Sequence, residues 1–153
     1  MHVIIHTQYY SPEIGAPQAR LSALARGLTQ LGHRVTVLTA MPSYPQGKVY
    51  PGYAGFLRRE TQDGVQIIHT AIYATQKASL IPRMANYLSF VFSSLVFGVF
   101  LLPKADFLFT ESPPLFLGLA GYLLSRLKHA RWIFNVSDLW PESAVHMGVV
   151  QPG

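Results

Sequence analysis

Residues 2–39 read HVIIHTQYYSPEIGAPQARLSALARGLTQLGHRVTVLT. Val3, Ile4 and Ile5 form a short apolar run with no polar alternation, the pattern of a strand buried on both faces. Leu21, Leu24, Ala25, Leu28 and Leu31 then recur at spacings of three and four, which is one face of a helix. Pro17 suits the first turn of that helix and Gly32 its carboxyl stop. Arg34 to Thr39 is a second apolar strand. A strand–helix–strand unit this short predicts two parallel neighbours in a sheet covered by helices.

The same reasoning carries outward. Residues 41–55, MPSYPQGKVYPGYAG, hold three prolines, three glycines and three tyrosines and read as a long loop without a regular element. Phe56–Glu60 and Val65–Ile72 read as a hairpin around Asp63-Gly64. Ala105–Thr110 and Arg131–Val136 read as further strands. Ser112 is placed to cap a helix opening at Pro113-Pro114 and running to about Lys128. After the last strand comes SDLWPES, with a further helix expected from Pro141. The fold class is therefore α/β: a Rossmann-like, doubly wound, mainly parallel sheet with helices on both faces. Ligands are expected at the carboxyl ends of its strands.

Met84 to Pro103 carries no charge, enough helix for about 30 Å. Three readings fit: a helix packed on the sheet, such a helix with one face dipping into a membrane surface, or a transmembrane span. The first is preferred. A single crossing would separate the later strands from the first two, and Asn86, Ser89, Ser93 and Ser94 interrupt the apolar run.

Of the 153 residues, half are hydrophobic and only 12% charged, with a net charge of +5. A basic balance suits an anionic lipid surface or a phosphate-bearing small molecule. There is no dense Lys/Arg run, so nucleic acid is not an expected partner. The chain has no cysteine, which excludes thiol catalysis, disulfides and zinc–thiolate sites. His2 and His6 share a strand face but lie about 13 Å apart, too far to share one ion, and no metal is expected. His69, inside an apolar strand, reads as a structural histidine. The amino terminus has no signal-peptide pattern, and the end at Val149–Gly153 reads as a point inside a longer protein.

The stretch QYYSPEIGAPQAR, residues 8–20, joins the first strand to the first helix. Gly15 there either lets an anion approach the backbone at a helix amino terminus or only makes a tight turn. Tyr9 and Tyr10 are placed to wall a pocket. Neither GxGxxG nor a P-loop is present, so a dehydrogenase or an ATPase has no motif behind it. Asp138 and Glu142 stand at a strand-to-helix switch with Trp140 between them. They read either as sugar-handling groups or as a helix cap beside a core tryptophan. Glu111 and Ser112 point to the same sheet edge, as site residues or as a solvated carboxylate and a cap.

The combination of SPEIG, GHRVTVLT, SPPL and DLWPES, in that order, resembles the amino-terminal domain of family 4 glycosyltransferases of the GT-B fold, in their bacterial exopolysaccharide branch. The resemblance spans essentially all 153 residues. It implies that residues 1–153 are the acceptor-side domain of a two-domain enzyme, whose carboxyl-terminal, donor-binding domain is not in this chain. It implies a retaining transfer of a sugar from a nucleoside diphosphate donor to a lipid-linked glycan acceptor, with no separate cofactor. Gly15 and Ala16 would offer backbone N–H groups to the diphosphate. Tyr9, Glu13, Glu111, Ser137, Trp140 and Glu142 would contact substrate, and Asp138 would be the catalytic carboxylate. Many relatives carry histidine where this chain has Ser137. The implied location is cytoplasmic, peripheral on the inner face of the cell membrane. The alternative is a non-catalytic membrane-docking subunit of a split GT-B enzyme.

Overall fold

The computed structural model describes residues 1–137. Asp138, Trp140, Glu142 and the helix expected from Pro141 lie outside the described residues. Six strands form one sheet: β1 (His2–Thr7), β2 (Arg34–Ala40), β3 (Leu57–Gln62), β4 (Val65–Thr70), β5 (Phe107–Glu111) and β6 (Arg131–Asn135). Three helices accompany them: α1 (Ala16–Gln30), α2 (Leu80–Leu101) and α3 (Leu117–Leu127). The strand order is β3-β4-β2-β1-β5-β6. All pairs are parallel except the β3–β4 hairpin. The doubly wound α/β sheet expected from the sequence is thus the fold.

β1 lies at the centre because both of its faces are apolar and covered. Val3 and Ile5 join Leu21 and Ala25 of α1, together with Val35, Val37 and Ile67. Ile4 faces the other way, with Leu38, Ile68, Leu108 and Leu124, against α2 and α3. Helices therefore cover both faces. α3 sits tightly on its side: a Cβ on Gly121 would meet the Thr110 hydroxyl at 2.1 Å. The β3–β4 turn has φ 53° at Asp63 and 78° at Gly64, two left-handed residues in succession, which is the hairpin turn that Asp-Gly favours.

Three expectations need correction. α3 begins at Leu117 rather than at Pro113, and the Ser112 hydroxyl has no partner among the described residues. Pro113 and Pro114 supply no N–H, and a residue before proline is kept out of the helical region, so the chain turns before it winds. α2 begins at Leu80 and includes Arg83, because Pro82 falls in a first turn where no N–H is needed. Tyr10, expected to wall a pocket, is instead buried in the α1 core. α2 is long and apolar enough to cross a membrane. It nevertheless joins β4 to β5 of one sheet and packs on that sheet. His69 is buried as expected, its ring nitrogens bonded to the Ala40 carbonyl at 3.0 Å and Glu60 at 2.8 Å.

Candidate functional site

From β1 the chain runs to β2 and β4 on one side and to β5 and β6 on the other. The switch point of the sheet is therefore the carboxyl end of β1 beside β5, where a doubly wound fold opens a crevice. The loop after β1 delivers Gly15 there. Its backbone is extended, at φ 170° and ψ 171°, so any residue could adopt it. A Cβ would meet Gln18 Oε1 at 2.4 Å, the far end of a flexible side chain, so a larger residue fits only if Gln18 shifts. Among the described residues no side chain caps α1, and its first turn holds no acid. The amino-terminal N–H groups at Ala16 and Gln18 are thus left to an external acceptor, with the helix dipole behind them.

One turn into α1, Arg20 donates to Glu111 Oε1 at the end of β5. Asn135 at the end of β6 donates to Glu111 Oε2 at 2.8 Å. Glu111 is almost fully buried, while the Arg20 side chain is 49% exposed. The carboxylate thus holds a half-exposed guanidinium at the crevice. Ser137 lies at the same edge, its hydroxyl donating to the Ser112 carbonyl at 2.8 Å.

Glu13 points inward and is 5% exposed. Its Oε1 accepts the Ser43 and Tyr44 N–H groups at 2.8 and 2.9 Å, and its Oε2 faces Gln18 Nε2 at 3.5 Å. Burial holds its carboxyl above the usual carboxylate range, and these donors offset only part of that rise. Glu13 therefore fastens the loop after β1 to the loop after β2. Gly47 fastens the second loop further: its φ is 67°, and a Cβ would meet the Thr75 carbonyl oxygen at 2.2 Å.

Between these loops and the start of α2 lies a cavity of about 600 Å³. Gln8, Tyr9, Tyr44, Asn86 and Tyr87 are among its walls, together with the exposed cations Lys77 and Arg83. The Tyr9 ring meets Tyr44 edge-on at 5.5 Å. Burial and the neighbouring Tyr87 push its phenol up, so it stays neutral. Gln8 Nε2 donates to Asn86 Oδ1 at 2.9 Å, and the buried Gln8 Oε1 has no partner among the described residues. A second depression, lined by Arg34, Lys104 and Lys128, lies at the opposite, amino edge of the sheet, away from the loops that carry Gly15 and Ser43. Among the described residues no three His, Asp or Glu side chains cluster as metal ligands.

Gly15, Ala16, Glu111 and Ser137 are thus brought to one edge, with Tyr9 in the adjoining cavity and Glu13 behind the loop. Arg20, Gln8 and Tyr87 are additions that the sequence reading missed. Arg20 carried a local signal, a cation one turn past a glycine at a helix start; the other two carried none.

The structure is similar to the catalytic domain of starch synthase IV from Arabidopsis thaliana, solved with ADP and acarbose bound, at a TM-score of 0.63 and 14% identity. The match covers 87% of this chain and 33% of that one. In sequence the chain is 25% identical, over its whole length, to the putative colanic acid biosynthesis glycosyl transferase WcaI of Escherichia coli. It spans only 38% of that relative's length. The profile of the glycosyl transferase 4-like domain matches residues 15–152, nearly the whole chain, so the protein belongs to the glycosyl transferase 4-like domain family.

Proposed function

We propose that this chain is the acceptor-side half of a retaining glycosyltransferase, which moves a sugar from a nucleoside diphosphate donor to a lipid-linked glycan. The observation that carries the reading is the uncapped start of α1 at Gly15–Ala16, opening at the switch point beside the Arg20–Glu111 pair. The leaving diphosphate gains from helix N–H groups and a nearby guanidinium without needing a metal. The similar starch synthase domain, solved with ADP bound, supports a nucleoside diphosphate donor, and the colanic acid relative supports an exopolysaccharide product. Asp138, directly after Ser137 in the chain, is assigned to position the acceptor hydroxyl, which is mostly a matter of orientation. Trp140 and Glu142 are assigned to the same sugar. A second, donor-binding domain would close over this edge and exclude water.

The test is release of nucleoside diphosphate and formation of glycoside by the full-length protein, screened across nucleotide sugars. Transfer is expected, with Asp138→Asn lowering kcat by roughly 100-fold. No release from any donor, with or without added glycolipid, overturns the reading. The isolated 153 residues are expected to transfer nothing.

The outer surface of α2 and α3 also supports peripheral contact with the inner membrane face. Ile81, Leu88, Phe92 and Phe100 on α2, with Leu119 and Leu127 on α3, are all exposed. The same face favours the second reading, a docking subunit of a split enzyme, in which the first test would give transfer only with a partner added.

A further inference from the structure

At the amino edge of the sheet, opposite the crevice, three connections meet. Gly32 and Arg34 stand where α1 passes into β2, Lys104 to Asp106 where α2 passes into β5, and Lys128 and His129 where α3 passes into β6. With Met1 and His2 they line the amino-edge depression, of about 460 Å³. That volume is in the range of small-molecule sites.

Its charge is lopsided. Arg34, Lys104 and Lys128 stand against one acid, Asp106. None of the three cations forms an ion pair among the described residues. Asp106 is turned to the backbone, its Oδ2 accepting the His2 N–H at 2.6 Å. Cations at this edge have an ordinary duty, which is to face the carboxyl ends of helices. Lys128 performs it, donating to the Val99 carbonyl at 2.7 Å, and keeps two further N–H donors. Arg34 and Lys104 are exposed and lie beyond the last turns of α1 and α2, which hold no base. The positive field reaches His2, which is 4% exposed: burial holds its ring below the ordinary imidazole value, and the Arg34 charge adds to that.

The lining also limits the ligand. It holds no Trp, Tyr or Phe, so a nucleobase has no stacking platform, and only Met1 and Ala105 are apolar, so an acyl chain has no trough. We propose that this depression binds a compact, multiply charged phosphate, a diphosphate or a phosphorylated sugar, through Arg34, Lys104 and Lys128. Arg34 supplies a planar fork that takes phosphate oxygens in pairs, and Lys104 a mobile point charge. Gly15 and Arg20 lie at the other edge of the sheet, so a ligand here is an effector rather than a substrate.

The probes are inorganic pyrophosphate and sulfate, each titrated calorimetrically into the full-length protein at physiological salt, where diffuse surface attraction is screened. Pyrophosphate is expected to bind more tightly than sulfate. Arg34→Gln and Lys104→Gln should each weaken it by about tenfold, the loss of one charge-assisted contact. Both side chains are exposed, so both variants should keep the wild-type melting temperature. The imidazole resonances of His2 give a local readout. A bound anion favours the protonated ring, so its apparent pKa should rise with added pyrophosphate, and less so in Arg34→Gln. Pyrophosphate that binds both variants as it binds the wild type overturns the proposal, because it then sits elsewhere, the crevice included. Equal affinity for sulfate overturns it too, showing only a cationic surface, and so does an unmoved His2. Association with phosphatidylglycerol vesicles that needs Arg34 and Lys104, without pyrophosphate binding, would replace the soluble ligand by lipid headgroups and overturn it as well. None of these readouts depends on sugar transfer, so failure of the glycosyl-transfer reading leaves the site standing.

Discussion

His6 sits in the central strand, fully enclosed, with Nε2 at 2.9 Å from the Ser94 hydroxyl and its ring 5.9 Å from that of Phe90. Its Nδ1 has no partner among the described residues. Burial without a counter-charge holds its pKa down to about 3, against 6.5 for a free imidazole. The native protein refuses a proton that the unfolded chain accepts. Stability contributed by the neutral ring is complete above pH 6.5 and declines as pH falls toward 3, by about 1.4 kcal/mol per pH unit. Urea midpoints measured from pH 7 to 4 should therefore fall faster for the wild type than for His6→Gln, which cannot titrate. Parallel curves would show that His6 is not the group responsible. The sequence placed His6 on a strand face with His2 but could not supply its partner, because Ser94 is 88 residues away.

At the scale of elements, the site is a set of loops fastened by long-range bonds. Glu13 ties the first loop to the second across 30 residues, and Arg20 ties α1 to β5 across 91. Glu13→Ala would leave the buried Ser43 N–H and the part-buried Tyr44 N–H without an acceptor and should cost about 2 kcal/mol of unfolding free energy. Glu13→Gln keeps an acceptor oxygen and should cost less; chemical denaturation of both variants decides it, and equal losses would mean that the two bonds are not what matters. Local pattern was enough for the strands, since runs such as Val3–Ile5 and Arg34–Thr39 have no other way to be buried. It was enough for the hairpin as well, because Asp63-Gly64 strongly favours one turn geometry. It failed where the decisive partner was remote or where two rules competed. Glu13 was assigned to substrate by the family resemblance alone, and no local pattern could show that its carboxylate accepts two N–H groups of the loop after β2. Ser112 looked like a cap because the two prolines after it read as the first turn of a helix.

For the whole molecule, polarity is divided by face. The α2–α3 side shows exposed Phe92, Phe100, Leu119 and Leu127, flanked by Lys77, Arg83, Lys104 and Arg126. An apolar face with a basic border suits shallow insertion among anionic headgroups. The full-length protein should float with vesicles containing phosphatidylglycerol, less so at high salt, and poorly after Phe92→Ser with Phe100→Ser. Absence from the floating fraction under every lipid composition would refute membrane contact. The opposite margin of the sheet behaves differently. β3 is an exposed border strand, and it carries Arg58, Arg59 and Glu60. Arg58 stacks over Tyr53 at 4.7 Å and pairs with Glu60. Charges in such a row repel a second copy that tries to extend the ladder. Self-association at high concentration is thereby steered toward greasy helix contacts that mild detergent disperses, and away from fibrils.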